Sequence, residues 1–78
     1  MATRAYILIE TAVGKTKDVL NAVKQVRGVT VVDAVTGHYD VIAVLEADDL
    51  NSIGRIVTSQ FQGVGGVLRT TTCLAITF

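Results

Sequence analysis

A glycine-led turn that carries an aromatic residue and a carboxylate is the segment of this chain best suited to hold a small ligand. Gly37 precedes Tyr39 and Asp40, and an apolar stretch follows at once. Glycine lets the backbone approach a ligand closely, while a carboxylate that enters a buried strand needs a partner there. For Asp40 the partner is either a backbone amide of the turn or a bound ammonium group, and the residues alone leave both open.

Three consecutive threonines near the end of the chain offer hydroxyl groups. They are Thr70, Thr71 and Thr72, and they follow the glycine-led segment 66–69. Alternation in a strand places Thr70 and Thr72 on one face and Thr71 on the other. Threonine is also a good strand former, so the run fits either a purely structural role or hydrogen bonds to a small polar ligand.

Two further polar side chains near the turn are candidates for chemistry. His38 is the single histidine, so one chain cannot form a two-histidine metal site, and a solvent-facing turn residue is the simpler interpretation. Asp33 and Asp40 flank the turn, and paired carboxylates can serve as general acid and base when they face a shared cleft. The sequence shows no such cleft, and Asp33 fits a solvated carboxylate.

Two glycine-containing segments imitate nucleotide-binding motifs but fail their requirements. The segment 14–16 looks like the end of a phosphate-binding loop, which needs a glycine five positions before Gly14, where Ile9 stands. Residues 63–66 suggest a dinucleotide fingerprint, but Leu68 replaces its last glycine and a strand is predicted to follow. The sequence therefore predicts no cofactor, no metal and no catalytic residue.

The composition describes one small neutral domain, residues 1–78. Lys and Arg number 7 and so do Asp and Glu, whereas nucleic-acid binders carry a basic excess, so no direct nucleic-acid contact is expected. No apolar run reaches the roughly 18 residues of a membrane span, and the absence of an export signal predicts a cytoplasmic location. Cys73 is the single cysteine, which excludes an intrachain disulfide and a thiolate zinc site; it is expected to be buried.

The apolar content exceeds what one small core can bury. Hydrophobic residues make up 50% of the chain, and the core of a domain below ~80 residues rarely contributes more than ~3–5 kcal/mol net. Because no disulfide or metal is available to add stability, association of subunits is expected.

Short runs rich in β-branched and aromatic residues predict four strands, at residues 5–10, 29–36, 39–46 and 70–78. Gly37 and His38 form the hairpin turn between the second and the third. A helix begins at Thr16, taken as its N-cap, and ends near Gly28. A second helix is capped by Asp48 or Asp49, and its apolar positions are Leu50, Ile53, Val57 and Phe61.

The order β-α-β-β-α-β predicts an α+β, ferredoxin-like βαββαβ sandwich with a four-stranded antiparallel sheet and both helices on one face. The strands carry apolar residues on both faces, with Tyr6 and Leu8 opposed to Ile7 and Ile9 in the first strand. The face without helices should therefore also be covered, and a second copy of the chain is the simplest cover.

The turn at residues 35–41, the acidic start of the second helix and the pattern Gly66-Val67-x-x-Thr70-x-Thr72 together resemble the effector domain of the Lrp/AsnC transcription regulators, the RAM domain. The similarity extends over essentially the whole chain in the same order. It implies a ferredoxin-like dimer formed through the open sheet face, and further association into rings of eight or ten chains.

The resemblance also implies an amino-acid effector bound where dimers meet, near the hairpin turn. By matched positions, the ligand-binding residues are Gly37, Tyr39, Asp40, Thr70 and Thr72. A carboxylate such as Asp40 suits the ammonium of a zwitterion, while turn amides and hydroxyls suit its carboxylate.

Full members of this family place a helix-turn-helix domain ahead of the effector domain, whereas Met1 lies only a few residues before the first strand here. We therefore expect a stand-alone module that acts by assembly with itself or with a full-length Lrp/AsnC regulator. Two alternatives remain open. One is a small cofactor-independent enzyme similar to the dimeric monooxygenases and isomerases, with Asp33, His38 or Asp40 as its base; the other is a purely architectural subunit.

Overall fold

A computed structural model describes residues 2–78 of the chain, and these residues form four strands and two helices. The elements in chain order are β1 (Thr3–Thr11), α1 (Thr16–Lys24), β2 (Val29–Ala34), β3 (Val41–Ala47), α2 (Leu50–Ile56), which continues into a π-helical turn (Val57–Phe61), and β4 (Val67–Leu74). The predicted βαββαβ order is confirmed.

The four strands form one sheet in the order β2-β3-β1-β4, and every neighbouring pair is antiparallel. This is the predicted ferredoxin-like arrangement. β1 and β3 are the inner strands, so β1 pairs with β3 on one side and with β4 on the other. No helix of residues 2–78 is both long enough and apolar enough to cross a bilayer.

The core lies between the helices and one face of the sheet. Alternate residues of β1 and β3 are fully buried there, and Val19 and Val23 of α1 pack on them together with Ile53, Val57 and Phe61 of the second helical segment. The predicted apolar helix positions therefore face the core, except for Leu50, which is exposed. The spacing of the buried residues, two in strands and three to four in helices, produces this packing.

The other face of the sheet, termed here the open face, carries no helix and has an apolar centre bordered by charged residues such as Glu10 and Arg69. Leu8 of β1 pairs with Ile42 of β3, and Tyr6 pairs with Val44. Tyr6 is 37% exposed and Val31 of β2 is 49% exposed on this face. The prediction of apolar residues on both faces is confirmed. The expectation of a buried cysteine is wrong, because Cys73 lies opposite Tyr6 on the open face and is exposed.

The two helix starts differ in how they are capped. Thr16 is the first helical residue rather than the N-cap, so that prediction is wrong; Lys15 occupies the cap position and makes no side-chain cap bond. At α2 the prediction is confirmed for Asp49, whose Oδ1 accepts from the Ser52 amide at 2.7 Å. The hydrogen bond from the Ser52 backbone lowers the pKa of the Asp49 carboxyl.

Several predicted strand boundaries are wrong. The connection between β2 and β3 is a six-residue loop, 35–40, rather than a two-residue turn, and the Val35 amide closes it by donating to the Asp40 carbonyl at 2.9 Å. β4 begins at Val67 and ends at Leu74, earlier than the predicted range 70–78, because pairing with β1 governs it. One further bond, from the Ala75 amide to the Arg4 carbonyl, extends this pairing.

Substitution of Gly28 by alanine should destabilise the fold strongly. Gly28 has φ +98°, and an added Cβ would lie 2.8 Å from the Glu46 carbonyl oxygen, a backbone atom that cannot move aside alone. We expect Gly28→Ala to lower the free energy of unfolding by more than about 2 kcal/mol in chemical denaturation. Gly14→Ala is the matched control, since Gly14 has φ +79° but open space around it, and should cost about 1 kcal/mol. Equal losses in the two variants would contradict the close approach.

Candidate functional site

Asp40 is fixed by hydrogen bonds to the inner strand β1. Its Oδ2 accepts from the Thr11 amide at 2.8 Å, and its own amide donates to the Ile9 carbonyl at 2.9 Å. The carboxylate therefore has a backbone-amide partner, but the amide comes from β1 and not from the turn. Within residues 2–78, Oδ1 of Asp40 accepts no hydrogen bond, so one carboxylate oxygen remains available to a ligand.

The pairing of β1 with β4 is irregular next to this contact. Glu10 pairs with Arg69, but Thr11 pairs with Val67, so Leu68 is an extra residue on β4. A bulge of this kind interrupts the ladder and re-aims the neighbouring groups. The Thr11 amide lies on the β3 side of β1, as the Ile9 carbonyl does, and it donates to the Asp40 carboxylate there.

Thr11 also connects this contact to the start of α1. It is the one buried polar residue within 2–78, at 9% exposure, and its Oγ1 lies 2.7 Å from Oγ1 of Thr16. The next residue, Ala12, donates its amide to the Gly66 carbonyl at 2.8 Å. The ends of β1, of the loop 35–40 and of the turn before β4 thus meet around Thr11.

The remaining predicted site residues of the loop 35–40 lie on the surface beside Asp40. Gly37 has φ +115°, a conformation that favours glycine, and it is exposed with no atom within 4 Å of an added Cβ. Tyr39 is half-buried, and His38 is exposed, as expected for a turn residue. This loop therefore offers backbone and an aromatic ring close to the Asp40 carboxylate.

The predicted threonines lie across β1 from Asp40. Thr70 pairs with Ile9 and Thr72 pairs with Ile7, so both side chains are on the helix side of the sheet, while Thr71 pairs with Leu8 on the open face. The predicted division of the three threonines is confirmed. Thr70 is half-buried and borders a shallow groove of about 300 Å³ that contains no residue of the loop 35–40. A single chain does not enclose the five predicted residues in one cavity.

Sequence reasoning missed Thr11 and Thr16. The signal for them is weak, because a threonine at the end of a strand is ordinary and a bulge one residue earlier has no pattern of its own. No group of three or more His, Cys, Asp or Glu side chains within residues 2–78 could hold a metal ion.

Replacement of Asp40 should separate its structural role from its charge. Asp40→Ala leaves the buried Thr11 amide without an acceptor, and we expect a loss of about 1–3 kcal/mol in the free energy of unfolding. Asp40→Asn keeps an acceptor oxygen and should lose less than about 1 kcal/mol. Asp18→Ala on the exposed side of α1 is the control and should change stability by under about 0.5 kcal/mol. Equal stability of the Asp40→Ala variant and the unmodified chain would contradict the anchoring contact.

Solved structures of similar length share this fold. The structure of FFRP-DM1 is 30% identical over 95% of this chain and 99% of that chain, with a TM-score of 0.90. A protein of Thermus thermophilus is 29% identical over 97% of this chain and 95% of that chain, with a TM-score of 0.92. No curated protein matches the chain significantly.

A longer protein also contains the fold. A transcriptional regulator of Neisseria meningitidis, solved in complex with L-Met, is 17% identical over 96% of this chain and 50% of that chain, with a TM-score of 0.85. At this identity the likeness shows the fold alone. The family described as the Lrp/AsnC ligand binding domain matches residues 4–77. Because this match extends over nearly all of the sequence, the chain belongs to the Lrp/AsnC ligand binding domain family.

Proposed function

We propose that this chain is a non-catalytic, oligomeric module that binds a free amino acid and regulates through assembly. The observation that carries the proposal is the family match over residues 4–77. The Neisseria meningitidis regulator in complex with L-Met supports an amino acid as the class of ligand. The site consists of Gly37, Tyr39, Asp40, Thr70 and Thr72.

The chemistry of the loop 35–40 suits a zwitterion. Oδ2 of Asp40 is held by Thr11, which fixes the carboxylate, and Oδ1 is directed to the ligand ammonium. The exposed backbone at Gly37 approaches the ligand, and Tyr39 supplies an aromatic wall. Charge-assisted hydrogen bonds of this kind are about twice as strong as neutral ones.

The pocket is completed by a neighbouring chain. Asp40 and Thr70 flank Ile9 from opposite sides, so the hydroxyls of Thr70 and Thr72 do not reach the Asp40 carboxylate across β1 in one protomer. In the assembled form, the threonines of one protomer face the loop 35–40 of another. Ligand binding and assembly are then coupled, because each chain supplies half of the contacts.

The open face is the primary interface. An exposed apolar patch rimmed by polar residues is typical of a protein–protein contact, and the paired side chains Tyr6 and Val44, and Leu8 and Ile42, form its centre. A symmetric dimer follows, and further contacts between dimers produce a ring of eight or ten chains. A full-length Lrp/AsnC regulator is the proposed partner in mixed assemblies.

An enzymatic role has less support. A base needs a cleft that excludes water, and the candidates Asp33, His38 and Asp40 line neither the groove of about 300 Å³ beside Thr70 nor the larger groove of about 680 Å³. This larger groove lies at the other end of β3, beside Glu46 and Ala47.

Amino acids should stabilise the assembled protein. In a thermal-shift screen of the twenty standard amino acids, we expect at least one to raise the melting temperature and to change the oligomer size in light scattering. Asp40→Asn should abolish the change in oligomer size, since it removes the charge and keeps the acceptor for Thr11. Asp18→Asn, which removes a charge on α1, is the control and should respond normally. A screen in which no amino acid changes either quantity would exclude this function.

A negative charge introduced on the open face should dissociate the oligomer into monomers. Val44 lies on this face between Tyr6 of β1 and Val31 of β2, so Val44→Glu would bury a carboxylate in the dimer. We expect sedimentation velocity to show a monomer for this variant and a larger species for the unmodified chain. Leu50→Glu, at an exposed apolar residue of α2, is the control and should remain associated. A monomeric unmodified chain at micromolar concentration would rule out the interface.

A further inference from the structure

A second groove lies at the end of the sheet opposite to Asp40. It has a volume of about 680 Å³, within the usual range for small-molecule sites, and it lies between the turn after α1, the turn after β3 and one side of α2. Its polar lining consists of Gln25, Arg27, Glu46, Asp48, Ser52 and Gln60. None of the residues proposed for the effector site borders it.

The groove carries opposite charges that do not neutralise each other. Arg27 and Asp48 are both exposed residues of its lining. The single ion pair within residues 2–78 joins Arg69 to Glu10 at 3.7 Å, so the Arg27 guanidinium and the Asp48 carboxylate have no ionic partner in that part of the chain. Asp49, the next residue, is already used by the α2 cap. The lining thus combines one cation, Arg27, with two carboxylates, Glu46 and Asp48, and no ion pair joins them.

The second helical segment is underwound where it borders this groove. Ser52, Ile56 and Gln60 all line it, at a spacing of four residues. In a regular α-helix such a row drifts by about 40° per step. The π-helical turn, in which the Gln62 amide donates to the Val57 carbonyl at 3.0 Å, is wider and counteracts the drift, so that Gln60 stays in the row.

Hydroxyl groups on this segment favour the wider turn. Oγ1 of Thr58 donates to the Gly54 carbonyl at 2.9 Å, and Oγ of Ser59 donates to the Arg55 carbonyl at 2.6 Å. Such bonds compete for helix carbonyls and bend the helix. π-helical turns of this kind occur frequently at functional sites.

We propose that this groove is a second binding site, separate from the Asp40 site, for a small zwitterion: a free amino acid or a short peptide. Arg27 binds the carboxylate of the ligand and Asp48 binds its ammonium. The side-chain amides of Gln25 and Gln60, which both donate and accept hydrogen bonds, flank the middle of the ligand. Ile56 supplies the apolar contact.

The test uses the Asp40→Asn chain, in which binding at the Asp40 site is removed and cannot obscure binding at the second site. Equilibrium dialysis with radiolabelled L-glutamine and, separately, with alanyl-glutamine measures binding to this variant. We expect one or both to bind, and the pattern identifies the source as the amino acid, the peptide or both. Adding Arg27→Gln should weaken that binding about tenfold or more, which is the loss expected when one charge-assisted hydrogen bond is removed. Arg27→Lys in its place keeps the positive charge and should retain part of the binding.

The control is Lys17→Gln, which removes a positive charge from the exposed side of α1 outside the groove. It should leave binding unchanged, and thermal melts should show that all variants fold. Absence of binding of both probes to the Asp40→Asn chain overturns the second site, as does equal weakening by Arg27→Gln and Lys17→Gln. Neither result bears on the amino-acid response of the unmodified chain through Asp40.

Discussion

The position of β1 between β3 and β4 constrains nearly everything else in this molecule. Its alternate residues Ala5, Ile7 and Ile9 are fully buried under the helices, and its two edges pair with different strands. A strand held in this way has no freedom to slip, because a shift of one residue would turn its buried side chains to the open face. The residues that follow its last regular pair are therefore placed accurately. Thr11 is the first of them, and through it β1 sets the position of the Asp40 carboxylate.

The fold was predictable from the sequence because the apolar spacing differs clearly between its strands and helices. Val19 and Val23 match a helix, Ile7 and Ile9 match a strand, and all four are buried as the spacing requires. The boundaries were less accessible. The loop 35–40 is longer than a hairpin turn, and Asp40 at its end bonds to β1 through its amide and its carboxylate, contacts that no local pattern encodes.

The candidate site was predictable only as a set of residue types. A turn with Gly37, Tyr39 and Asp40 is visible in the sequence, and the structure shows these residues side by side in one loop. The threonines of β4 lie beyond β1, and the proposed contact between β4 of one protomer and the loop of another cannot be obtained from the pattern of one chain. Thr11 was missed for a related reason, since its role depends on a partner 29 positions away in the sequence.

The larger groove and the loop 35–40 use different parts of one rigid sheet. Asp40 precedes β3, whereas Glu46 and Ala47 at the other end of the same strand border the groove. Since β3 is an inner strand paired on both sides, the two ends are fixed relative to each other. Two ligands bound at these ends would not compete for space within a protomer.

The pairing of β1 with β4 also governs when the domain can fold. Ile7 lies opposite Thr72, which is separated from it by 65 positions in a chain of 78 residues. Closing so long a loop is slow compared with forming a helix or a hairpin. On the ribosome, β1 and β3 emerge well before β4. One edge of β1 therefore stays unpaired until β4 has emerged as well. Folding of this domain is therefore a late event, set by the arrival of its last strand.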